Sequence, residues 1–243
     1  MRHLIIALTL LTTQLAFASD STSSYQDALN QFIEKSKSAP SGFSAADKAI
    51  MEKAGKTLAA NMPDPGIKVG EKAPDFSLKN AFGKSVTLND ELKKGPVILV
   101  FYRGAWCPFC NLHLHVLQKN LPEFEKYNAQ LITITPQQPD KSAEQIKKDG
   151  YPFEVLSDLD SKVMKAYRLY YELPEDLVSV YKNHGLDIEA FNGATRNVLP
   201  VPGSFVIDTA GVVRAMHAET DYKKRMEPER MIKTLQEITQ GKH

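Results

Sequence analysis

Hydrophobic positions along the chain follow two periods, which predict strands and helices in alternation. Residues 97–101 are apolar at every position, as in a central parallel strand that is buried on both faces. Further strands are predicted at 131–134, 153–156, 204–207 and 212–216, with a hairpin formed by 76–78 and 86–88. Helices are predicted at 107–127, 140–148 and 228–239. This alternation indicates an α/β sandwich.

Residues 19–66 predict a separate helical extension. One apolar stripe at helical spacing contains Tyr25, Ala28, Leu29, Phe32 and Ile33, and a second contains Ala46, Ile50, Ala54 and Leu58. We expect a helical hairpin packed on the main domain, and the alternative is a dimer contact that would make the protein a homodimer. The main domain is predicted to occupy residues 67–243. Within it, 167–199 is interpreted as an insertion with a helix at 175–184 and no clear strand.

The first eighteen residues have the pattern of an export signal. Arg2 gives a positive start, residues 4–11 form a short apolar core, and Ala-Phe-Ala at 16–18 is a small-residue cleavage site. The apolar run is too short to span a bilayer. We expect 1–18 to be a signal peptide of a protein exported to the bacterial periplasm, without membrane attachment after its removal. A buried N-terminal helix is the alternative.

Charge and cysteine content narrow the possible functions. The chain has 30 basic and 29 acidic residues, so no basic surplus favours a nucleic-acid partner. Its only cysteines are Cys107 and Cys110. In an oxidising compartment such a pair would normally form a structural disulfide. A loop this short removes little entropy from the unfolded chain, however, so we expect a pair that cycles between dithiol and disulfide.

The pair lies at the start of the helix predicted over 107–127. Unpaired backbone N–H groups and the positive end of the helix dipole favour a thiolate there, and Arg103 would add to this effect. Cys110 begins the buried stripe of this helix, so it is expected to be the enclosed cysteine and Cys107 the exposed one. On this geometry Cys107 would meet external disulfides and Cys110 would resolve them. Pro122 is expected to kink the helix.

Other uses of the two cysteines are weaker. Covalent haem requires His directly after the second cysteine, and residue 111 is Asn. Zinc would need both cysteines together with His113 and His115, and one helix cannot easily place four ligands around a tetrahedral centre. His113 and His115 are therefore interpreted as ordinary helix residues, and no metal or cofactor is expected. A purely structural disulfide stays open as an alternative.

Three sequence motifs resemble those of a known family. They are Gly-Glu-Lys-Ala-Pro-Asp-Phe-Ser-Leu at 70–78, Phe-Tyr at 101–102 and Gly-Ser-Phe-Val-Ile-Asp at 203–208. Together they resemble the alkyl hydroperoxide reductase/thiol-specific antioxidant family, which comprises peroxiredoxins and their relatives, over roughly residues 67–240. The resemblance implies a thioredoxin-like sandwich with a central mixed sheet, here preceded by the helical extension.

The chain departs from the family pattern around its cysteines. Peroxiredoxins carry a Pro-x-x-x-Thr-x-x-Cys motif, and this chain has Arg103 for the Pro and Cys107 for the Thr. Cys110 stands at the peroxidatic cysteine. Pro202 stands where a peroxiredoxin arginine would fall. Val201-Pro202 instead resembles the cis-proline turn of thioredoxins, which would present a backbone edge to an extended substrate.

The resemblance leaves two enzymatic functions open. As a peroxidase, Cys110 would attack a hydroperoxide, Cys107 would condense with the resulting sulfenic acid, and a thioredoxin-like donor would reduce the disulfide. As a periplasmic thiol–disulfide oxidoreductase, Cys107 would attack a protein disulfide. Both hypotheses place Pro202, Val201, Trp106 and Arg103 at the substrate. A non-catalytic binding module is the third possibility.

Overall fold

The computed structural model describes residues 23–37 and 42–242, so the predicted signal peptide lies outside the described residues. Its main feature is a seven-stranded sheet. In chain order the sheet contains β1 (Ser77–Asn80), β2 (Ser85–Thr87), β3 (Val97–Phe101), β4 (Gln130–Thr135), β5 (Glu154–Ser157), β8 (Gly203–Ile207) and β9 (Val213–Ala218). The spatial order is β2-β1-β5-β4-β3-β8-β9. All the strands predicted from the sequence are present in this sheet.

Strand β3 lies at the centre of the sheet and is buried along its whole length. It pairs parallel with β4 and antiparallel with β8, so the sheet is mixed, as the family resemblance implied. Its side chains alternate between two apolar clusters: Leu99 and Phe101 point to one face, Ile98 and Val100 to the other. Both faces are covered, which explains the unbroken apolar run of this strand.

The helices cover both faces of this sheet. They are α1 (Tyr25–Ser36), α2 (Ala45–Asn61), α3 (Leu88–Leu92), α4 (Pro108–Lys119), α5 (Leu121–Glu125), α6 (Pro139–Asp149), α7 (Lys162–Ala166), α8 (Glu175–Asn183), α9 (Ile188–Asn192) and α10 (Pro228–Thr239). Helices α4, α5 and α10 supply one apolar cluster, and α3 and α7 supply the other. Within the described ranges, no helix combines the length and the apolarity that crossing a membrane requires.

The helix predicted over 107–127 is divided into α4 and α5. The break is at Asn120, whose side chain donates a hydrogen bond to the Val116 carbonyl at 2.8 Å. Pro122 lies in the first turn of α5, where no intrahelical donor is needed. The expected kink is therefore a break between two helices.

The two helices of the extension pack on different parts of the main domain. Helix α2 contacts α8, and α1 contacts α4. The first turn of α1 is fixed by Glu227, whose carboxylate accepts the backbone N–H groups of Tyr25 and Gln26, each at 2.8 Å. The buried Tyr25 hydroxyl donates to the Lys223 carbonyl at 2.6 Å. Helix α1 thus holds the segment between β9 and α10 at two points.

The segment 167–199 contains more structure than its sequence predicts. Helix α8 confirms the helix predicted at 175–184. The expectation of no strand was wrong, because β6 (Tyr170–Glu172) pairs antiparallel with β7 (Val198–Pro200) in a separate two-stranded sheet. Three-residue strands are too short for an alternating pattern to show.

Candidate active site

Both cysteines are free thiols and both are buried, each with 1% of its surface exposed. The prediction that Cys107 lies at an exposed tip was therefore wrong. It considered α4 alone, whereas Met226, which follows β9, packs in the same apolar cluster as the pair. Cys110 is enclosed, as its place in the stripe of α4 predicts.

The local backbone brings the two sulfurs together. Cys107 is the N-cap residue of α4, and its carbonyl accepts the N–H groups of Cys110 at 3.1 Å and Asn111 at 3.0 Å. The two side chains are one helical turn apart, and their sulfur atoms are hydrogen-bonded to each other. The Cα atoms of a disulfide-bonded pair lie roughly 4.4–6.8 Å apart, and two residues one helical turn apart meet this requirement, so the pair can form a disulfide.

A buried arginine lies against the second sulfur. Arg225 Nη2 is 3.6 Å from Cys110 Sγ, and its Nη1 donates to the Lys224 carbonyl at 2.8 Å. Arg225 belongs to the segment between β9 and α10. Sequence reasoning missed Arg225, because its only signal was a charged stretch beyond the last predicted strand.

The electrostatics assign the negative charge to Cys110. Burial raises the pKa of the Cys110 thiol. This pKa is lowered by a hydrogen bond from Cys107, by the charges of Arg225 and Arg103, and by the Arg103 backbone N–H, and these effects together outweigh burial. Burial, the hydrogen bond to Cys110 and the negative charge on Cys110 raise the pKa of Cys107 well above its usual value. Cys110 is thus the thiolate and Cys107 the donor beside it.

Arg103 and Trp106 are both beside the pair, as predicted. The Arg103 guanidinium lies between two rings, 4.7 Å from the centre of Trp106 and 4.5 Å from that of Tyr222. Its Nη2 donates to the Tyr181 hydroxyl at 3.2 Å. Only 4% of Arg103 is exposed, and in the described part of the chain it forms no ion pair with a carboxylate. Its positive charge is therefore available to the cysteines.

A buried network of polar side chains fixes the loop before the cysteines. Gln137 accepts the Ala105 N–H at 3.0 Å, and Asn111 donates to the Ala105 carbonyl at 2.7 Å. Gln145 joins the network by donating to Asn111 at 3.0 Å and accepting from the Tyr102 hydroxyl at 2.8 Å. Gln137 and Gln145 were not singled out from the sequence, because they come from the segment after β4 and from α6.

The loop also needs glycine at position 104. Gly104 has φ +146°, and a Cβ atom built there would lie 2.6 Å from Trp106 Nε1. The indole therefore packs directly on the glycine backbone.

The turn at Val201 and Pro202 differs from the predicted one. Every described peptide bond is trans, so the expected cis bond before Pro202 was wrong. The Val201 N–H donates to the Leu169 carbonyl at 2.7 Å, and its side chain packs in the cluster on the sheet face opposite the cysteines. The chain runs from β7 into β8, where Gly203 pairs with Phe101, and this path needs no cis turn.

The two histidines of α4 have different surroundings. His113 is buried, with Nε2 3.3 Å from the Met226 carbonyl, and burial lowers its pKa to about 3. His113 is therefore uncharged at neutral pH. His115 is partly exposed, 3.9 Å from Asp149. Across the described ranges, no group of three or more His, Cys, Asp or Glu side chains is placed to hold a metal ion.

A cavity of about 450 Å³ adjoins this loop. Its walls come from α2, β6 and α8, and its lining also includes Arg103 and Tyr222. Arg103 donates to the Tyr181 hydroxyl, which belongs to the same lining.

Comparison with known proteins gives the family. The model of the AhpC/TSA family matches residues 69–216, which contain both cysteines and Arg103. The chain belongs to the AhpC/TSA family. The bcp protein of Helicobacter pylori strain J99, which is named as a peroxiredoxin, is 35% identical over 104 residues, 43% of this chain and 68% of its own. Chloroplastic peroxiredoxin Q of Populus jackii is 25% identical over 72% of this chain and 69% of its own.

Two further matches are a solved structure and a relative with a thioredoxin-like name. The crystal structure of peroxidoxin BcpB from Mycobacterium tuberculosis superposes with a TM-score of 0.56 at 22% identity, over 71% of this chain and 98% of that one. It confirms the thioredoxin-like fold of this AhpC/TSA family member. The thioredoxin-like protein YneN of Bacillus subtilis is 28% identical over 67% of this chain and 78% of its own. Helices α1 and α2, Tyr222 and Arg225 lie outside the family match.

Proposed function

We propose that this protein is a thiol-dependent peroxidase that reduces hydroperoxides through Cys110 and Cys107 and is recycled by a thioredoxin-type donor. One observation carries the proposal. The Arg225 guanidinium lies 3.6 Å from the sulfur of Cys110, the residue that the sequence resemblance places at the peroxidatic cysteine, and it helps to lower the pKa of that thiol. The relatives named as peroxiredoxins support the same function. Export to a periplasm and a homodimer stay predictions from the sequence.

The reaction follows from the arrangement of the pair. The Cys110 thiolate attacks the terminal oxygen of the hydroperoxide, the O–O bond breaks, and the alkoxide leaves as the alcohol after it takes a proton. Cys110 is now a sulfenic acid. The Cys107 sulfur, one turn away, attacks the Cys110 sulfur and releases water. A dithiol donor then reduces the disulfide by thiol exchange and is itself oxidised.

Disulfide exchange is the second candidate, and one observation favours it. The Cys-x-x-Cys pair at the N-terminus of a helix is the arrangement of thioredoxins, and the YneN relative is named as thioredoxin-like. That chemistry needs an accessible, acidic first cysteine. Here Cys107 is buried and its pKa is raised, whereas the pKa of Cys110 is lowered, so the thiolate is not the cysteine that disulfide exchange would use first. The geometry therefore favours a peroxide substrate.

Two single variants separate these functions. We expect Cys107→Ser to form a sulfenic acid on Cys110 when treated with hydroperoxide, detected by a dimedone adduct in mass spectrometry. We expect Cys110→Ser to form none. Hydroperoxide consumption by the natural chain with a thioredoxin system should greatly exceed that of free thiol. Consumption no faster than free thiol, together with a mixed disulfide trapped on Cys107 in Cys110→Ser, would establish exchange instead.

A further inference from the structure

Helix α1 forms a bridge between the helix that carries the cysteines and the segment between β9 and α10. On one side it packs on α4, where the Tyr25 ring lies edge-on to His113 with 5.3 Å between the ring centres. Leu29 and Val116 belong to the same small apolar cluster. On the other side α1 holds the segment through the hydrogen bonds of Tyr25 and Glu227. Tyr25 therefore contacts both parts at once.

Arg225 lies midway between the two points at which α1 holds this segment. The Lys223 carbonyl, two residues before Arg225, accepts the Tyr25 hydroxyl at 2.6 Å. The Glu227 carboxylate, two residues after it, accepts two backbone N–H groups at the start of α1. Fixing both neighbours restricts the backbone from which the long Arg225 side chain extends. Its guanidinium accordingly has a defined place, with Nη2 3.6 Å from the Cys110 sulfur.

The parts of this bridge lie outside the region that the family model matches. The match covers residues 69–216, whereas α1 precedes it and Arg225 and Glu227 follow it. A helix of 12 residues is marginal in water on its own, so α1 depends on its contacts. The Glu227 carboxylate stabilises its first turn, because negative charge is favourable at the positive end of a helix. The helix and the segment thus stabilise each other.

We propose that α1 is a positioning element of the cysteine site: Glu227 and Tyr25 hold the segment between β9 and α10 so that Arg225 contacts the Cys110 sulfur. Without these contacts the guanidinium is freer to leave the sulfur, and the thiolate loses stabilisation. The consequence for the reaction rests on the peroxidase function, in which this thiolate attacks the hydroperoxide.

The other titratable groups near Cys110 keep their charge in the variants that test this proposal. Those that interact with it electrostatically are Cys107, Arg103 and four tyrosines, Tyr25, Tyr102, Tyr151 and Tyr171. Burial raises the pKa of each tyrosine, so all four are neutral at neutral pH. Burial also raises the pKa of Cys107. Changes at Tyr25 or Glu227 therefore leave Arg225 as the charge whose place changes.

The sign of one substitution separates positioning from a direct effect of charge. Glu227→Gln removes a negative charge, which by itself would favour the Cys110 thiolate and lower its pKa. If Glu227 acts by holding Arg225, the pKa of Cys110 rises instead, by about half a unit to one unit, because the guanidinium is displaced but still present. Glu229→Gln is the matched control. Glu229 is exposed, and its side chain makes no hydrogen bond in the described part of the chain, so the pKa should not rise.

A neutral substitution tests the second contact. Tyr25→Phe removes the hydroxyl that donates to the Lys223 carbonyl and keeps the ring on His113. We expect it to raise the pKa of Cys110 without any change of charge. Tyr170→Phe is its control, because that hydroxyl lies on β6 and donates to Glu172. It should leave the pKa unchanged.

A double variant shows whether Glu227 acts through Arg225. Where the guanidinium is already absent, its position no longer matters, so Glu227→Gln should cause no further rise on top of Arg225→Met. The absorbance of the thiolate against pH measures every shift, and circular dichroism shows which variants are folded. Equal pKa values of Cys110 in Glu227→Gln and Glu229→Gln would overturn the proposal, as would a further rise in the double variant. If Glu227→Gln does not fold, an unchanged pKa in Tyr25→Phe overturns it.

This titration is independent of the peroxidase function, because it uses no hydroperoxide. If the expected shifts occur in a protein that consumes no hydroperoxide, the peroxidase function is wrong and the positioning role of α1 stands. If hydroperoxide is consumed but the shifts are absent, the positioning role alone is wrong.

Discussion

Replacement of Arg225 by methionine tests the central electrostatic claim. Methionine keeps much of the length of the side chain but removes the guanidinium, which lies 3.6 Å from the Cys110 sulfur. The thiolate then loses a charge-assisted hydrogen bond in a buried site. Because only the charged form of the thiol gains from this contact, its loss raises the pKa of Cys110.

The expected size follows from the contact. A hydrogen bond to a charged group contributes about 1.5–3 kcal/mol. The Coulomb energy of two unit charges 3.6 Å apart is about 4–5 kcal/mol at an effective dielectric constant of about 20, which sets an upper limit. One pKa unit corresponds to about 1.4 kcal/mol. Arg225→Met is therefore expected to raise the pKa of Cys110 by about one to two units.

Two readouts measure this change. The ultraviolet absorbance of the thiolate, followed against pH, gives the pKa of Cys110 as the first of two steps, because the pKa of Cys107 is raised well above its usual value. The rate of sulfenic acid formation reports the same ionisation. The thiolate is the reactive form, so the rate is lost as pH falls through the pKa of Cys110, and Arg225→Met moves this loss to higher pH.

Arg230→Met is the matched control. Arg230 is exposed on α10, five residues along the chain, and its replacement removes the same charge without touching the sulfur. We expect the control to titrate like the natural chain. If Arg225→Met, shown to be folded by its circular dichroism, also titrates like the natural chain, the assignment of Arg225 to the thiolate is wrong. Equal shifts in both variants would mean that net charge, and not the contact, acts on Cys110.

Two further predictions concern the loop and α4. Gly104→Ala should lower the free energy of unfolding by about 1–3 kcal/mol and shift the fluorescence emission of Trp106. Gly83→Ala is the control, because Gly83 also has positive φ but has open space around its Cβ, and it should leave that emission unchanged. Identical spectra for both variants and the natural chain would contradict the packing of the indole on Gly104. The pKa of His113 is about 3 in the folded chain and about 6.5 in the unfolded chain, so acidification between these values should remove about 1.4 kcal/mol of stability per pH unit. Denaturant titrations of His113→Leu should lack this contribution to the pH dependence of the free energy of unfolding. Equal pH dependence in both proteins would contradict the prediction.

The fold could be predicted largely from local patterns. The strand Val97–Phe101 was recognisable because burial on both faces leaves no polar position, and α10 because Pro228 begins it and an apolar stripe follows. The enclosure of Cys110 followed from helical spacing in the same way. These features depend on neighbours within one turn or one strand, which the sequence displays directly.

The rest of the site depends on contacts between distant segments. Cys107 was expected to be exposed because α4 alone leaves it so, but it is buried in an apolar cluster that includes Met226, which follows β9. The contact of the Arg225 guanidinium with the Cys110 sulfur was not expected from the sequence at all. Neither contact leaves a periodic signal, since each joins residues more than a hundred positions apart. Three-dimensional packing, and not propensity, decides such positions.

The substitution of Cys107 for the family threonine combines two tasks in one residue. The thiol hydrogen-bonds to the Cys110 sulfur, and its own raised pKa keeps its proton on while Cys110 ionises. The same sulfur is one turn away when Cys110 becomes a sulfenic acid, so the pair can close without unwinding α4. Once the disulfide forms, the hydrogen bond no longer exists, and Arg225 and Arg103 face an uncharged pair. Reduction therefore restores both the thiolate and the partner of the two buried cations, which favours return of the site to its reactive form.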